Sequence, residues 1–314
     1  MPTVKTRGDR PIELYYERSG PPGVDPVLLV MGLGTTLDAW DLTAPVLAEK
    51  RDVIRFDNRG IGRTEKPRGR YRTSEMADDA LALLDHLGLD RVHVVGISMG
   101  GMIAQELALA APARVKSLTL LATYAAPDGE IERTAEEGAR AQGRPDLGTM
   151  FKMMASAAEA GTGPAAAEAE AEAEAGAAPA VDPMLILKFM MPLVVSKAYL
   201  EREREFLKRQ FERSMEYGFA LHGFMGQVAA VMAHDTRARL PQLATLPVHV
   251  MLGTKDRLIP PRLTRALHAG IPGARLTEIE GGTHGLCYEF AERLNQELVG
   301  WLDAPEAAPR ESVA

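Results

Sequence analysis

Residues 91–104 read RVHVVGISMGGMIA, and this stretch decides the fold. Its β-branched, apolar first half predicts a strand, and the apolar residues that follow position 101 at helical spacing predict a helix. Ser98 lies between the two in a G-x-S-x-G pattern, which is typical of a nucleophile elbow when it joins a strand to a helix. Glycine suits this turn, because side chains at Gly96 or Gly100 would collide with the neighbouring strand or helix. The stretch therefore predicts Ser98 as a nucleophile, with an ordinary glycine-rich loop as the alternative.

The composition limits the class of protein. The chain has 314 residues, which fits one domain that carries a large insertion. Its net charge of −7 argues against nucleic acid or an anionic membrane surface as a partner. We see no signal-peptide pattern and no apolar run of transmembrane length, so we expect a cytoplasmic protein without membrane insertion. The single cysteine, Cys287, excludes an internal disulfide and is expected to be buried rather than catalytic.

Strand-like and helical segments alternate along most of the chain. A hairpin is predicted within residues 4–16, one helix over residues 38–49, and another helix with Thr73 or Ser74 as its cap. The remaining strand segments, most of them apolar runs, alternate with helices and indicate a parallel sheet that is covered on both faces. They lie at 27–31, 52–57, 92–97, 115–122, 248–252 and 274–279.

The alternation stops after Thr123 and resumes at Val248, which indicates an insertion after the sixth strand. Within it, one stretch is almost entirely alanine and glutamate, and such a sequence cannot form a core. The predicted parts are an α/β core of residues 1–124 and 241–302, a helical cap of residues 125–240 with its solvated Ala/Glu segment at 164–180, and a disordered tail of residues 303–314.

A serine hydroxyl needs a base within hydrogen-bond reach, and a third group that orients the base, to act as a nucleophile near neutral pH. Of the seven histidines, only His284 lies in a glycine-flanked loop just after a predicted strand. Ligands bind at that edge of open parallel sheets. We therefore predict His284 as the base for Ser98.

The acid should come from a similar position. Asp256 directly follows the strand at 248–252, and it gives the chain order Ser, Asp, His that this type of sheet uses. Asp57 also follows a strand and is the rival acid, although its neighbours suggest a buried turn braced by arginine. Glu280 is too close to His284 along the chain to be the first choice. We predict Asp256 as the acid.

Two backbone N–H groups are expected to stabilise the oxyanion. One belongs to Met99, which follows the nucleophile at the start of a helix, where negative charge is favoured. The other is expected from the loop after the strand at 27–31, at Leu33, which lies between two glycines.

These residues resemble the α/β-hydrolase superfamily over nearly the whole chain. Met31 stands where the family usually has histidine, and Thr64 stands where it usually has serine. The Met-Gly version is similar to the branch of the polyketide methyl esterases, and the enol-lactone hydrolases are also similar. The resemblance implies an α/β-hydrolase fold with a serine triad. The motifs that carry it are Gly32-Leu33-Gly34 with Trp40, Asp57-Asn58-Arg59-Gly60-x-Gly62, Gly96-Ile97-Ser98-Met99-Gly100-Gly101, Gly253-x-x-Asp256-x-x-x-Pro260 and Gly282-x-His284 with Glu289.

Several functions fit this resemblance. Haloalkane dehalogenases and epoxide hydrolases of this fold use aspartate at the elbow, so Ser98 argues against both. We expect a serine hydrolase that cleaves a small, largely apolar carboxylic ester or lactone. The alternatives are a cofactor-free perhydrolase or haloperoxidase, a noncatalytic ligand receptor and a peptidase. The sequence has neither zinc-type spacing nor a P-loop, so no metal or cofactor is expected, and it leaves the oligomeric state open.

Overall fold

The structure is a computed structural model that describes residues 2–128 and 190–304. Its strands are β1 Thr3–Lys5, β2 Glu13–Ser19, β3 Val27–Val30, β4 Val53–Phe56, β5 Val92–Ile97, β6 Val115–Leu121, β7 Val248–Gly253 and β8 Arg275–Ile279. They form one sheet in the order β1-β2-β4-β3-β5-β6-β7-β8. β2 pairs antiparallel with both β1 and β4, and all the other pairs are parallel. The mostly parallel sheet that the sequence predicts is confirmed.

Helices connect the parallel strands. The α-helices are α1 Ala44–Ala48, α2 Thr73–His86, α3 Met99–Ala110, α4 Lys197–Arg202, α5 Arg204–Glu216, α6 Leu221–Ala233, α7 Pro261–Ala269 and α8 Ala291–Leu302. Shorter 3₁₀ turns occupy Leu37–Trp40, Pro112–Arg114 and Arg237–Thr245, and residues 190–194 are also helical. Within the described residues, every helix is too short or too polar to span a bilayer.

Both faces of the central strands β3 to β7 are buried, which explains the apolar runs in their sequences. Leu28 and Val30 of β3 lie in one core cluster, together with residues of α2 and α3. Val27 and Leu29 of the same strand lie in a second cluster, together with residues of α1 and α8. Burying one such side chain fully contributes about 1.5–3 kcal/mol. Helices on both faces thus hold the sheet and fix the positions of its strand ends.

Two local predictions differ from the structure. The helix expected over residues 38–49 is divided into the 3₁₀ turn Leu37–Trp40 and α1, because Pro45 has no N–H to continue a helix but fits the first turn of a new one. Neither Thr73 nor Ser74 caps α2. Arg72 is the cap residue, and the Thr73 hydroxyl lies 3.0 Å from His234 Nδ1 instead.

The polypeptide after β6 contains no strand within its described parts, residues 122–128 and 190–247. Its helices α4, α5 and α6 come before β7 in the chain. The Ala/Glu segment at 164–180 and residues 305–314 of the expected tail lie outside the described residues. The division into core and cap stays a prediction.

Candidate active site

Ser98 lies on the sharp turn between β5 and α3. Its backbone is in a positive-φ conformation, with φ 56° and ψ −124°. A non-glycine residue in such a conformation costs about 1–3 kcal/mol, so the surrounding structure must hold it in place. The Ser98 N–H donates to the Leu121 carbonyl at 2.9 Å, and the Thr123 hydroxyl donates to the Ser98 carbonyl at 2.8 Å. A Cβ at Gly100 would lie 2.1 Å from the Val30 carbonyl oxygen, which is the close approach that the motif requires.

Asp256 and His284 are hydrogen-bonded to each other. His284 Nδ1 lies 2.8 Å from Asp256 Oδ2, and both residues are 6% exposed. The other carboxylate oxygen, Oδ1, accepts the N–H groups of Leu258 at 2.9 Å and Ile259 at 2.8 Å. An ionised carboxylate only accepts hydrogen bonds, so the proton of His284 is on Nδ1 and its Nε2 is left as the basic nitrogen.

The sheet places these three residues at one edge. Ser98 directly follows β5, Asp256 lies in the loop after β7, and His284 lies in the loop after β8. β5, β6, β7 and β8 are consecutive and parallel in the sheet, so their carboxyl ends meet at the same side. Ligands bind at this side of open parallel sheets.

Asp57, the rival acid, is completely buried in a turn of its own. Its Oδ1 accepts the Leu37 N–H at 2.8 Å, and its Oδ2 accepts both the backbone N–H and the Nε–H of Arg63 at 2.9 Å. The turn is therefore braced by an arginine, as its neighbours suggest. That arginine is Arg63, because Arg59 pairs with Asp79 at 2.6 Å.

The loop after β3, residues 31–36, lies against Ser98. A Cβ at Gly32 would lie 3.2 Å from the Cβ of Ser98 and 3.7 Å from its Oγ, so the Gly32–Leu33 peptide is next to the Ser98 hydroxyl. Asn58 Nδ2 donates to the Met31 carbonyl at 2.8 Å, and the Gly34 N–H donates to Gln227 Oε1 at 2.8 Å. These bonds hold the loop on both sides of Leu33, the expected oxyanion donor.

Met99, the other expected donor, is the first residue of α3. The first N–H groups of a helix have no acceptor within it, and the helix dipole favours negative charge there. The Met99 N–H is therefore one of the N–H groups at the start of α3, where a negative charge beside Ser98 is favoured.

A second set of contacts joins the loop of His284 to the segment before α4. The Glu289 carboxylate accepts the Ser196 N–H at 2.8 Å, the Ser196 hydroxyl, and the Thr283 hydroxyl at 3.1 Å. The Gly285 N–H donates to the Val194 carbonyl at 2.6 Å. The backbone on both sides of His284 is thereby fixed.

Sequence reasoning did not identify Gln227, Asn58 or Glu289 as supports of the site. Asn58 and Glu289 occur in quoted motifs, but their partners are distant in sequence. Gln227 is the one amide in the apolar helix LHGFMGQVAAVMA and is completely buried. A lone buried amide needs partners for both its NH₂ group and its oxygen. A single glutamine in an apolar helix was therefore the sequence signal for a residue that joins two other segments.

Two other side chains in the described structure are potential nucleophiles, Cys287 and Ser117. Burial raises the pKa of the Cys287 thiol to about 12, so this side chain stays protonated at neutral pH. The described residues also contain a serine–histidine contact that does not involve Ser98, where Ser117 Oγ lies 2.7 Å from His93 Nδ1 and His93 Nε2 lies 3.0 Å from Asp25 Oδ1. Ser117 lies within β6 and His93 near the amino end of β5, so this contact is at the opposite end of the strands.

Comparison with known proteins agrees with this architecture. The family model for the alpha/beta hydrolase fold matches residues 25–291. A protein of Azorhizobium caulinodans that carries the name carbamate hydrolase RutD is 30% identical over 292 residues, which are 92% of this chain and 94% of that protein. A hydrolase from Pseudomonas aeruginosa PA01 is 26% identical, with a TM-score of 0.76, and covers 96% of this chain and 98% of its own. The enol-lactonase from Burkholderia xenovorans LB400 is 25% identical, with a TM-score of 0.73, over 96% of this chain and 100% of its own.

These relatives support the assignment of hydrolase activity to this chain. The family model spans most of the chain, and its match includes the elbow as well as the loops of Asp256 and His284. The chain belongs to the α/β-hydrolase fold family.

Proposed function

We propose that the protein is a serine hydrolase that cleaves a small, largely apolar carboxylic ester or lactone through an acyl-enzyme. The observation that carries the proposal is the 2.8 Å bond from His284 Nδ1 to Asp256 Oδ2, at the sheet edge where Ser98 occupies its strained turn. A buried carboxylate that fixes the tautomer of a histidine is what a serine nucleophile requires of its base.

In the proposed reaction, Ser98 Oγ attacks the acyl carbon while His284 Nε2 accepts the hydroxyl proton. The carbonyl π electrons move to oxygen, and the N–H groups of Leu33 and Met99 donate to the oxyanion. The carbon–oxygen bond to the leaving group then breaks, and the proton on His284 passes to the departing alcohol. Water then attacks the acyl carbon while His284 accepts its proton; the bond from that carbon to Ser98 Oγ breaks, the acid is released, and His284 returns the proton to Ser98 Oγ. Asp256 holds the imidazole and stabilises its charged form.

Apolar side chains near the β3 loop support the substrate class. Phe224 lies against Gly34, where an added Cβ would be 2.7 Å from its ring. Phe224 and Val228 form an apolar cluster. Leu33 of the β3 loop packs against it, as do Phe219, Leu221 and Met225. Phe224 and Val228 are buried, so the loop beside Ser98 packs on apolar side chains, and we expect the space next to it to suit an apolar acyl or alcohol group better than a charged one. The lactonase and the carbamate hydrolase relatives also act, by their names, on carbonyl groups of acid derivatives.

The test is a hydrolysis screen of p-nitrophenyl acetate, butyrate and octanoate, of small lactones and of a phenyl carbamate, with wild type and Ser98→Ala. We expect turnover of short esters or lactones by wild type and its loss in Ser98→Ala, with the melting temperature of the variant unchanged. Retained turnover in Ser98→Ala would refute the proposal. Bromide oxidation with hydrogen peroxide, in the absence of ester hydrolysis, would instead favour a haloperoxidase.

A further inference from the structure

Gln227 on α6 connects two loops that lie far from it in sequence. Its Oε1 accepts the Gly34 N–H at 2.8 Å, and its Nε2 donates to the Arg59 carbonyl at 2.8 Å. One partner can only donate and the other can only accept, so the orientation of the amide is determined by its neighbours. The side chain is completely buried, and a buried amide with both groups paired rigidifies what it joins.

The Arg59 end of this link is firmly anchored. The Arg59 guanidinium is 1% exposed and binds Asp79 through Nε at 2.6 Å and through Nη2 at 2.7 Å. Next to it, α6 packs closely on Gly60, because a Cβ at Gly223 would lie 2.3 Å from the Gly60 carbonyl oxygen. The position of Gln227 is therefore fixed by close backbone contact as well as by its hydrogen bonds.

The Gly34 end lies beside the proposed oxyanion donor. The peptide that joins Leu33 to Gly34 is bonded at its N–H by Gln227, and its carbonyl accepts the Thr35 hydroxyl at 3.1 Å. On the other side, the Met31 carbonyl is bonded by Asn58. The Gly32–Leu33 peptide, whose N–H is the proposed oxyanion donor, lies between these two fixed units.

We propose that Gln227 is a positioning residue, which aims the Leu33 N–H at the oxyanion by holding the β3 loop to α6. The inference rests on the proposed function, since an oxyanion forms only if Ser98 attacks a carbonyl. If Gln227 acts in this way, stabilisation of the oxyanion depends on the packing of α6 against the β3 loop and Gly60. A displacement of about 1 Å at a reacting site lowers the rate by about 100-fold, and loss of an oxyanion donor by about 100- to 1,000-fold.

The experiment compares Gln227→Met, Gln227→Glu and, as the matched surface control, Gln242→Met, whose side chain is exposed. For Gln227→Met we expect kcat for a p-nitrophenyl ester to fall about 10- to 100-fold, with little change in KM. Trifluoroacetone, which forms a tetrahedral adduct with an active serine, should inhibit this variant more weakly by a similar factor. Gln242→Met should match wild type in both measurements.

Gln227→Glu provides a readout that a purely structural role would not move. A protonated carboxyl can accept from Gly34 and donate to Arg59, as the amide does, whereas the ionised form cannot donate. Burial raises the pKa of a carboxyl, so the kcat of Gln227→Glu relative to wild type should rise as the pH falls. The same ratio for Gln227→Met should not change with pH.

The inference is overturned if Gln227→Met keeps wild-type kcat and inhibition by trifluoroacetone, or if the ratio for Gln227→Glu is independent of pH. Should Gln227→Met fail to fold, the pH dependence of Gln227→Glu still decides the question. Loss of turnover in Ser98→Ala, together with wild-type behaviour of the Gln227 variants, would reject this inference alone. Retained turnover in Ser98→Ala would reject the proposed function.

Discussion

Replacing Asp256 by asparagine tests how the acid acts on His284. Oδ1 of Asp256 accepts two backbone N–H groups, from Leu258 and Ile259, so the amide oxygen of an asparagine must take that position. Its NH₂ group then points at His284 Nδ1, where the carboxylate had accepted a hydrogen bond. The imidazole is forced to carry its proton on Nε2, and it cannot accept the proton of Ser98.

The expected fall in kcat follows from the free energy needed to return the His284 proton to Nδ1 in the Asp256→Asn variant. To regain it, two buried N–H groups must face each other, and each unpaired donor costs about 1–3 kcal/mol. The charge-assisted bond to the imidazolium, about 1.5–3 kcal/mol, is also lost. Together these give about 3.5–9 kcal/mol, so kcat should fall at least about 300-fold below that of wild type, since about 1.4 kcal/mol is a factor of ten.

The assay is the steady-state hydrolysis of the best ester from the substrate screen, with thermal unfolding measured in parallel. Asp256→Asn keeps both backbone contacts of Oδ1, so its melting temperature should remain close to that of wild type. A kcat within tenfold of wild type would refute the assignment of Asp256 as the group that orients His284.

The remaining predictions concern residues around the site and in the core. Asp57→Asn should lower stability by about 1.5–3 kcal/mol in urea unfolding, because the Arg63 Nε–H loses its charged acceptor while Asp38 and Glu17 stay beside the guanidinium; loss of kcat at unchanged stability would point to Asp57 as the acid. Burial lowers the pKa of His234 to about 4 and that of His249 to about 3, so below pH 6.5 the unfolded chain takes up protons that the folded protein excludes. Stability should therefore fall by about 2 kcal/mol per histidine between pH 7.5 and pH 5, and an equally steep loss in the double variant His234→Gln/His249→Gln would contradict this. Iodoacetamide at pH 8 should neither modify Cys287 nor lower turnover, because the buried thiol has a pKa of about 12; modification with loss of turnover would contradict its buried, inert state.

The strands and their parallel arrangement could be predicted because burial on both faces leaves a direct signal in the sequence. The runs around Leu28 and Val94 are mostly apolar, and in the structure their apolar residues are divided between the two core clusters. The same reasoning placed Asp256 and His284 at one edge, since residues that follow parallel strands meet there. Contact between these two side chains follows from topology more than from any local pattern.

What could not be predicted depends on contacts between distant parts of the chain. The partners of Gln227 lie 168 and 193 positions away, and those of Glu289 include Ser196, 93 positions away. No periodicity encodes such pairs. The helix expected over residues 38–49 was wrong for a local reason, since Pro45 outweighed the helical spacing around it.

The supports of the site also change how Met31 should be understood. Its side chain replaces a histidine that is usual in this family, but its carbonyl is bonded by Asn58 at 2.8 Å. The backbone of the β3 loop is thus held by side chains from elsewhere in the fold, whatever residue occupies position 31. Loop geometry of this kind is set by the partners of the backbone and not by the motif itself.

The most direct test of Ser98 as the nucleophile is to find which serine reacts with a fluorophosphonate probe, by peptide mass spectrometry of the labelled protein. Ser98 and Ser117 both lie in the described structure, and Ser117 has its own histidine contact at 2.7 Å. We expect stoichiometric label on Ser98, none on Ser117, and loss of turnover in proportion to labelling. Turnover that persists with Ser98 fully labelled, or label on Ser117 in place of Ser98, would contradict the assignment of Ser98 as the nucleophile.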